Sequence, residues 1–334
     1  MLEKDKTTFT YLPLTRVYLK LGSRCNLKCK YCHQKKRDYK VNEDVLEFLK
    51  GTNTLEHISI GGGEPLLYKD TIQLIVDSVK EMNNKITISF VSNGTCLTDD
   101  NIKWINDNKI AYGISYDGED NLRGFTPDFS RVRLIENFTG VSTVVSAKFN
   151  YGDFYDDLKK AINISGKNLL SLPNFIHQTK ERENVDLVDK ETVEKYICFV
   201  CKEMKYEYSL YKKGDAEFYL LPFIKLFTHT LNIIKTIPDN DGFKCCNKSM
   251  VHLTMEGDFM LCAYGDIKVG DIYKGIDWNL VNSYKPERCK KCDLWSVCRN
   301  TCIANITDNE CMIFKSIYGY YKKLVGEEFA KQNI

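Results

Sequence analysis

Apolar residues along this chain come in short runs, each followed by a stretch with helical spacing. Val17 to Leu21 is the first run and reads as a strand. Asn42 to Leu49 has helical spacing, and His57 to Ile60 is a second short strand running into Gly61-Gly62-Gly63-Glu64-Pro65. Over Lys69 to Met82, Ile72, Ile75, Val76 and Val79 recur at i, i+3, i+4, i+7, which is one face of a helix. Ile86 to Val91 is a third strand ending at Ser92-Asn93-Gly94, and Thr98 is a good N-cap for the helix through Trp104 and Ile105. Ile110 to Tyr116 is a fourth strand, ending at Asp117-Gly118. Arg131 to Phe138 then reads as a helix, Val141 to Ser146 as a fifth strand and Tyr155 to Ile164 as a helix. Leu169 to Ile176 is a sixth strand interrupted by Pro173. Glu181 to Pro238 is mainly helical in pattern, Met250 to Met255 opens a hairpin-like segment, and Ile317 to Ala330 reads as a closing helix.

Strand then helix, repeated about six times, predicts an α/β fold with a parallel sheet, closed or partly closed, and helices outside. Chemistry in such folds sits at the carboxyl ends of the strands. Every polar motif above falls there: Gly62-Gly63-Glu64 after strand 2, Ser92-Asn93 after strand 3, and Ser115 to Asp117 after strand 4. The loop after strand 1 carries Cys25, Cys29 and Cys32 at C-x3-C-x2-C spacing.

Composition narrows the class. The 334 residues are 43% hydrophobic and 28% charged with a net charge of +2, ordinary for a globular protein and giving no electrostatic argument for nucleic acid or membrane. Met1 to Lys6 lacks the apolar run of a signal peptide, and no stretch reaches the ~18 consecutive apolar residues of a spanning helix, so a cytoplasmic location is expected. The anomaly is cysteine: 14 residues, three in the first loop and eight between Cys245 and Cys311. In a cytoplasmic chain that number points to metal rather than disulfides. Three thiolates on one loop can bind three irons of a cubane and leave the fourth open. A zinc site would use four ligands, usually two C-x2-C pairs.

The C-x3-C-x2-C loop, with Tyr31 before its last cysteine and Gly62-Gly63-Glu64 behind it, resembles the radical S-adenosylmethionine (SAM) superfamily. The resemblance implies that Cys25, Cys29 and Cys32 hold a 4Fe–4S cluster whose open iron is chelated by SAM. Reductive cleavage of SAM then gives a 5′-deoxyadenosyl radical. It implies a partial (β/α)6 barrel over residues 10–238. Gly62, Gly63 and Glu64 would receive the SAM amino group, and Tyr31 would contact the adenine through its backbone. Ser92, Asn93, Ser115 and Asp117 would contact the ribose or support the site. Arg131 or Arg133 is a candidate for the SAM carboxylate, and equally for a solvated helix face.

The C-terminal cysteines carry a second resemblance. Gly257-x4-Cys262 is followed by Cys289-x2-Cys292-x5-Cys298-x3-Cys302 and then Cys311. This order is similar to the SPASM domain of radical SAM peptide and protein maturases, read over residues 239–334. The family's ligation scheme gives one auxiliary 4Fe–4S cluster to Cys245 or Cys246 with Cys262 and Cys302, and another to Cys289, Cys292, Cys298 and Cys311. With the SAM site that makes three clusters. Cys245 and Cys246 are adjacent, so in a strand they point opposite ways and both do not reach one cluster. Cys198 and Cys201 form a C-x2-C that can donate a hydrogen atom, though buried cysteine more often packs as a small apolar residue.

The resemblance implies an enzyme that modifies a ribosomally made peptide through a crosslink, thioether or epimerisation. Expected partners are a peptide or protein substrate and an electron donor such as flavodoxin or ferredoxin. With only about fifteen residues before strand 1, leader binding would use the core, the SPASM region or a separate protein. One alternative is an anaerobic sulfatase maturase, which places an aspartate after the G-x4-C cysteine, where this chain has Ala263. A non-catalytic iron–sulfur scaffold or electron carrier is the alternative of another class.

Overall fold

A computed structural model describes residues 8–32, 37–80, 85–119, 121–145, 149–167, 174–175, 189–215, 242–243, 246–263, 267–285, 287–294, 298 and 308–332. Its centre is a run of parallel strands: β1 (Arg16–Lys20), β2 (His57–Gly61), β3 (Thr87–Ser92), β4 (Ala111–Ser115) and β5 (Phe138–Ser142). They are hydrogen-bonded in sequence order, so their carboxyl ends line up along one edge. The connections carry α1 (Glu43–Gly51), α2 (Lys69–Lys80) and α3 (Asp99–Asp107). Alternation decides which strand face the helices cover. Val17, Leu19, Ile58, Ile60, Ile88 and Phe90 are buried against Val45, Phe48, Ile72, Ile75, Val76 and Ile105. The opposite face carries Tyr18, Lys20, His57, Ser59 and Ser89, all half-buried.

The local start signals work as read. Asn42 caps α1 by accepting from Asp44 N–H, and Thr98 caps α3 by accepting from Asn101 N–H. One element differs. The helix expected over Arg131 to Phe138 is a single turn, α4 (Phe129–Val132), and Phe138 opens β5. Its apolar run is too short for periodicity to separate helix from strand, and pairing with β4 decides it. The fifth strand therefore starts earlier than expected. After a break comes β6 (Val144–Val145), then α5 (Tyr151–Ser165), and Asn174–Phe175 (β7) pairs with β6 in parallel. The rest of the expected sixth strand lies outside the described residues.

The later chain joins the other edge of the same sheet. After α6 (Lys190–Lys213) come β8 (Gly242–Phe243), β9 (Cys246–Asn247), β10 (Met250–Thr254), β11 (Asp258–Met260), β12 (Lys268–Asp271) and β13 (Gly275–Ile276). β10 pairs with β1 in parallel, Lys20 beside Thr254, so the sheet runs β13-β12-β11-β10-β1-β2-β3-β4-β5. Val251, Leu253, Phe259 and Leu261 enter the same core as β1 and α1. The closing helix, α7 (Asp308–Gln332), starts earlier than the pattern suggested and takes in Cys311. It packs on α6 through Tyr196, Val200, Met204, Phe314, Ile317 and Tyr321, a second apolar cluster that also reaches Tyr151 of α5. No helix of the described residues is long and apolar enough to cross a membrane.

Candidate active site

The cysteine loop leaves β1 and is tied at once to the end of β2. Gly63 N–H donates to the Gly22 carbonyl at 3.0 Å, and Glu64 N–H to the Arg24 carbonyl at 2.8 Å. This approach excludes side chains. A Cβ on Gly62 would lie 2.2 Å from the Gly22 oxygen, and one on Gly63 2.0 Å from the Arg24 oxygen. Gly62 also has φ of 138°, which L residues rarely adopt. The Gly-Gly pair is what lets two strand ends meet.

Glu64 is the hub of the next contact. It is 1% exposed. Its Oε1 accepts from the Ser92 hydroxyl at 2.8 Å and Leu66 N–H at 3.2 Å, and its Oε2 from Asn93 N–H at 2.7 Å. Burial pushes this carboxyl up, against the pull of those donors. Asn93 carries the connection to the cysteines. Its Nδ2 donates to Asn26 Oδ1 at 3.0 Å and to Cys25 Sγ at 3.8 Å, while its Oδ1 accepts from Thr95 N–H at 2.9 Å. The carboxyl ends of β2 and β3 thereby hold the first half of the loop.

The end of β4 holds the second half. Tyr31 is buried, and its hydroxyl donates to Asp117 Oδ2 at 2.5 Å. Arg123 Nε lies 2.6 Å from that oxygen, and Arg123 Nη2 donates to Oδ1 at 3.2 Å. The guanidinium sits 5.4 Å from the Tyr31 ring centroid, and Lys30 N–H donates to the Leu122 carbonyl at 3.1 Å. A cleft of about 200 Å³ opens beside this group, lined by Tyr31, Asp117, Glu119, Asn121, Phe149 and Phe154. Ser115 ends β4 half-buried beside Ser142 of β5. Sequence reasoning passed over Arg123. The only hint is a basic residue in a strand-end loop, and the candidates weighed instead lie elsewhere: Arg131 donates to the Leu97 carbonyl and pairs with Asp99, and Arg133 is exposed.

Residues 19–164, which contain all of this, match the Radical SAM superfamily. This part of the chain is a radical SAM domain. Its fold is similar to that of anSMEcpe with bound AdoMet and Cp18Cys peptide, with a TM-score of 0.64 at 20% identity over 94% of this chain and 98% of that one. It is also similar to Streptococcus suis SuiB bound to precursor peptide SuiA, with a TM-score of 0.60 at 16% identity over 86% of this chain and 72% of that one. By sequence, an uncharacterized protein of Methanocaldococcus jannaschii is 30% identical over 112 residues, so that this chain spans 39% of its length. GTP 3′,8-cyclase of Campylobacter jejuni subsp. doylei is 26% identical over 328 residues, 85% of this chain and 93% of the cyclase.

The cysteine loop of this radical SAM domain suits an iron–sulfur cluster in the chemistry of its donors. Cys25, Cys29 and Cys32 lie within electrostatic reach of one another. Burial pushes the Cys25 thiol up, while Leu27 N–H and Asn93 Nδ2 point at its sulfur and favour thiolate. Burial also raises Cys29, and the Arg123 charge opposes it. Among the described residues no three His, Cys, Asp or Glu side chains are gathered closely enough to hold a single metal ion. A cubane offers a separate iron to each thiolate and suits a wider spacing.

The C-terminal cysteines fall into two neighbourhoods. Cys246 is fully buried and its thiol is pushed up to about 12 by burial, with Cys262 adding to the shift. Burial raises Cys289 as well, and Cys311 and Cys292 are the thiols that act on it. Cys298 packs beside the α6–α7 cluster. Cys245 and Cys302 lie outside the described residues. Cys198 and Cys201 sit on α6, the first exposed and the second near Tyr320 of α7. None of the described cysteines forms a disulfide.

Proposed function

We propose that this radical SAM enzyme modifies a ribosomally synthesised peptide, through a crosslink, thioether or epimerisation. Cys25, Cys29 and Cys32 would hold the SAM-binding cluster, which when bound supplies the electron that cleaves SAM. Tyr31, Gly62, Gly63, Glu64, Ser92, Asn93, Ser115 and Asp117 would form or brace the SAM site. The role of Glu64, Ser92 and Asn93 is to fix the loop rather than to move a proton, because their polar atoms are already committed to each other. Cys246 with Cys262, and Cys289 with Cys292 and Cys311, would each supply part of an auxiliary cluster, completed by Cys302 and Cys298. Electrons would come from a flavodoxin- or ferredoxin-type donor.

The observation that carries a peptide rather than a nucleotide substrate is charge. A second cleft of about 120 Å³ lies between β1 and the β10–β11 hairpin, lined among others by Tyr18, Lys20, His252, Cys262 and Ala263. Its Arg37 is 2.5 Å from Glu256 and its Lys268 is 2.6 Å from Asp258. The cleft at Tyr31 carries Asp117, Glu119, Asp153 and Asp157. A triphosphate needs cations not already neutralised by the protein, whereas a polypeptide is served by mixed polar and aromatic walls. The fold similarity to anSMEcpe and SuiB, both of which have been seen with peptides, supports the same reading. Similarity to GTP 3′,8-cyclase over most of both chains favours a second one, a purine nucleotide substrate. Formylglycine formation is disfavoured because Ala263 stands directly after Cys262, the position where that chemistry expects an aspartate.

The deciding experiment offers the reconstituted, reduced enzyme SAM with either small peptides encoded beside its gene or GTP. We expect a peptide to accelerate 5′-deoxyadenosine formation and to change in mass, or to take up solvent deuterium at one α-carbon. Consumption of GTP with no response to any peptide replaces this reading with the nucleotide one.

A further inference from the structure

Nothing in the reading above uses Tyr68 or Asp38, yet both close on the peptide units just before Cys25. Tyr68 ends the 3-10 turn Pro65–Tyr68 and is 4% exposed. Its hydroxyl accepts from Arg24 N–H at 2.6 Å and donates to Asp38 Oδ1 at 2.6 Å. The same Asp38 oxygen accepts from Ser23 N–H at 3.2 Å. Gly22 and Asp38 form an isolated antiparallel bridge, so the chain leaving the cysteine loop returns to where it began. Gly22, with φ of 152°, leaves the space: a Cβ there would lie 2.4 Å from the Tyr68 hydroxyl and 2.7 Å from Asp38 Oδ1. The Arg24 guanidinium covers the Tyr68 ring at 4.2 Å.

The segment is thus gripped from two sides. Gly63 and Glu64 N–H groups take the carbonyls of Gly22 and Arg24, and the Tyr68–Asp38 pair takes the N–H groups of Ser23 and Arg24. A flip of the Gly22–Ser23 peptide would break a bond on each side, Gly22 C=O from Gly63 N–H and Ser23 N–H from Asp38.

We propose that Tyr68 and Asp38 are positioning residues for the cysteine loop: their linked hydrogen bonds fix the backbone that presents Cys25 and keep its thiolate in place on the cluster. This rests on the reading that Cys25, Cys29 and Cys32 are the cluster ligands. The acceptor at Asp38 matters more than its charge. Its pairing with Arg24 is 3.7 Å long between half-exposed groups and weak in solvent.

The test compares wild type with Tyr68→Phe, Asp38→Ala, Asp38→Asn and Cys25→Ala, each reconstituted with iron and sulfide. Each is reduced and followed by electron paramagnetic resonance, with and without SAM, during exposure to EDTA. SAM shifts the spectrum of a cluster with an open iron, and all proteins are made in a Cys262→Ala background that removes the three-cysteine auxiliary cluster, so the SAM-shifted signal reports this cluster alone. Tyr68→Phe and Asp38→Ala should lose that signal about three- to tenfold faster than wild type. Asp38→Asn keeps the oxygen acceptor and should stay within about twofold. A lower melting midpoint with an unchanged signal lifetime overturns the proposal, and so does an Asp38→Asn as labile as Asp38→Ala. A SAM-shifted signal that survives in Cys25→Ala overturns the ligand reading instead.

Discussion

Arg123 and Asp117 form an ion pair at 2.6 Å with side chains only 9% and 3% exposed. Each charge was taken out of water and is paired with the other, and Asp117 also accepts from the Tyr31 hydroxyl at 2.5 Å and Val144 N–H at 2.7 Å. Removing one strands its partner, which costs on the order of 3–5 kcal/mol, whereas replacing both with apolar residues of similar volume costs far less. Asp117→Leu, which strands the Arg123 charge, should therefore be more destabilising than the Arg123→Met/Asp117→Leu double variant in urea unfolding. Tyr31 loses its acceptor in either Asp117 variant, so the last turn of the cysteine loop should loosen as well.

Glu64→Gln tests the hub below the first cysteine. Both carboxylate oxygens accept, from Leu66 and Asn93 N–H groups and the Ser92 hydroxyl. An amide turns one acceptor into a donor facing a backbone N–H, leaving a buried group unsatisfied at roughly 1–3 kcal/mol. Chemical denaturation should show that loss, and SAM binding measured by calorimetry should weaken with it.

Gly63→Ala puts a Cβ against the Arg24 carbonyl, a backbone atom that cannot swing aside. We expect the strand 2 end to separate from the cysteine loop and cluster incorporation at that loop to fall sharply. Gly319→Ala, in α7, has open space at its Cβ and no left-handed φ and should retain its iron, so iron analysis of the two separates local crowding from a general effect of added methyls.

His57 supplies a pH prediction. Its ring lies 2.7 Å from the Ser89 hydroxyl, and burial, helped by Arg16, holds its pKa below the usual histidine range. The unfolded chain, titrating near about 6.5, takes up the proton first. The contribution of His57 is therefore complete above that pH and is lost as pH falls toward the folded value. Melting midpoints followed from pH 8 downward should decline less steeply in His57→Gln than in wild type.

Iron content bears on the C-terminal thiols. If all three sites hold cubanes, the reconstituted protein approaches about twelve irons. Replacing Cys289, Cys292 and Cys311 with Ala should remove about four of them and leave the SAM-shifted resonance in place. Zinc making up the difference, with iron saturating near one cluster, would return these cysteines to a structural metal site.

Much of this enzyme was legible in the sequence because its information is local. A strand of five residues followed by Cys-x3-Cys-x2-Cys, or by Gly-Gly-Glu, states its own position at a strand end. Alternation in Val17, Leu19, Ile58 and Ile60 states which face the helices cover. Caps at Asn42 and Thr98 announce helix starts through their own backbone bonds. What the sequence did not carry was pairing between distant segments. Phe138 became a strand because β4 offered it backbone partners, against a helical reading of its own neighbourhood. β10 joined β1 in parallel across more than two hundred residues, placing the Cys262 hairpin beside the first strand. Arg123 and Tyr68 look like ordinary surface-prone residues in sequence. They became buried partners of the cysteine loop only because parallel neighbours bring four strand ends to one edge, where a buried donor or charge must find its partner within the protein.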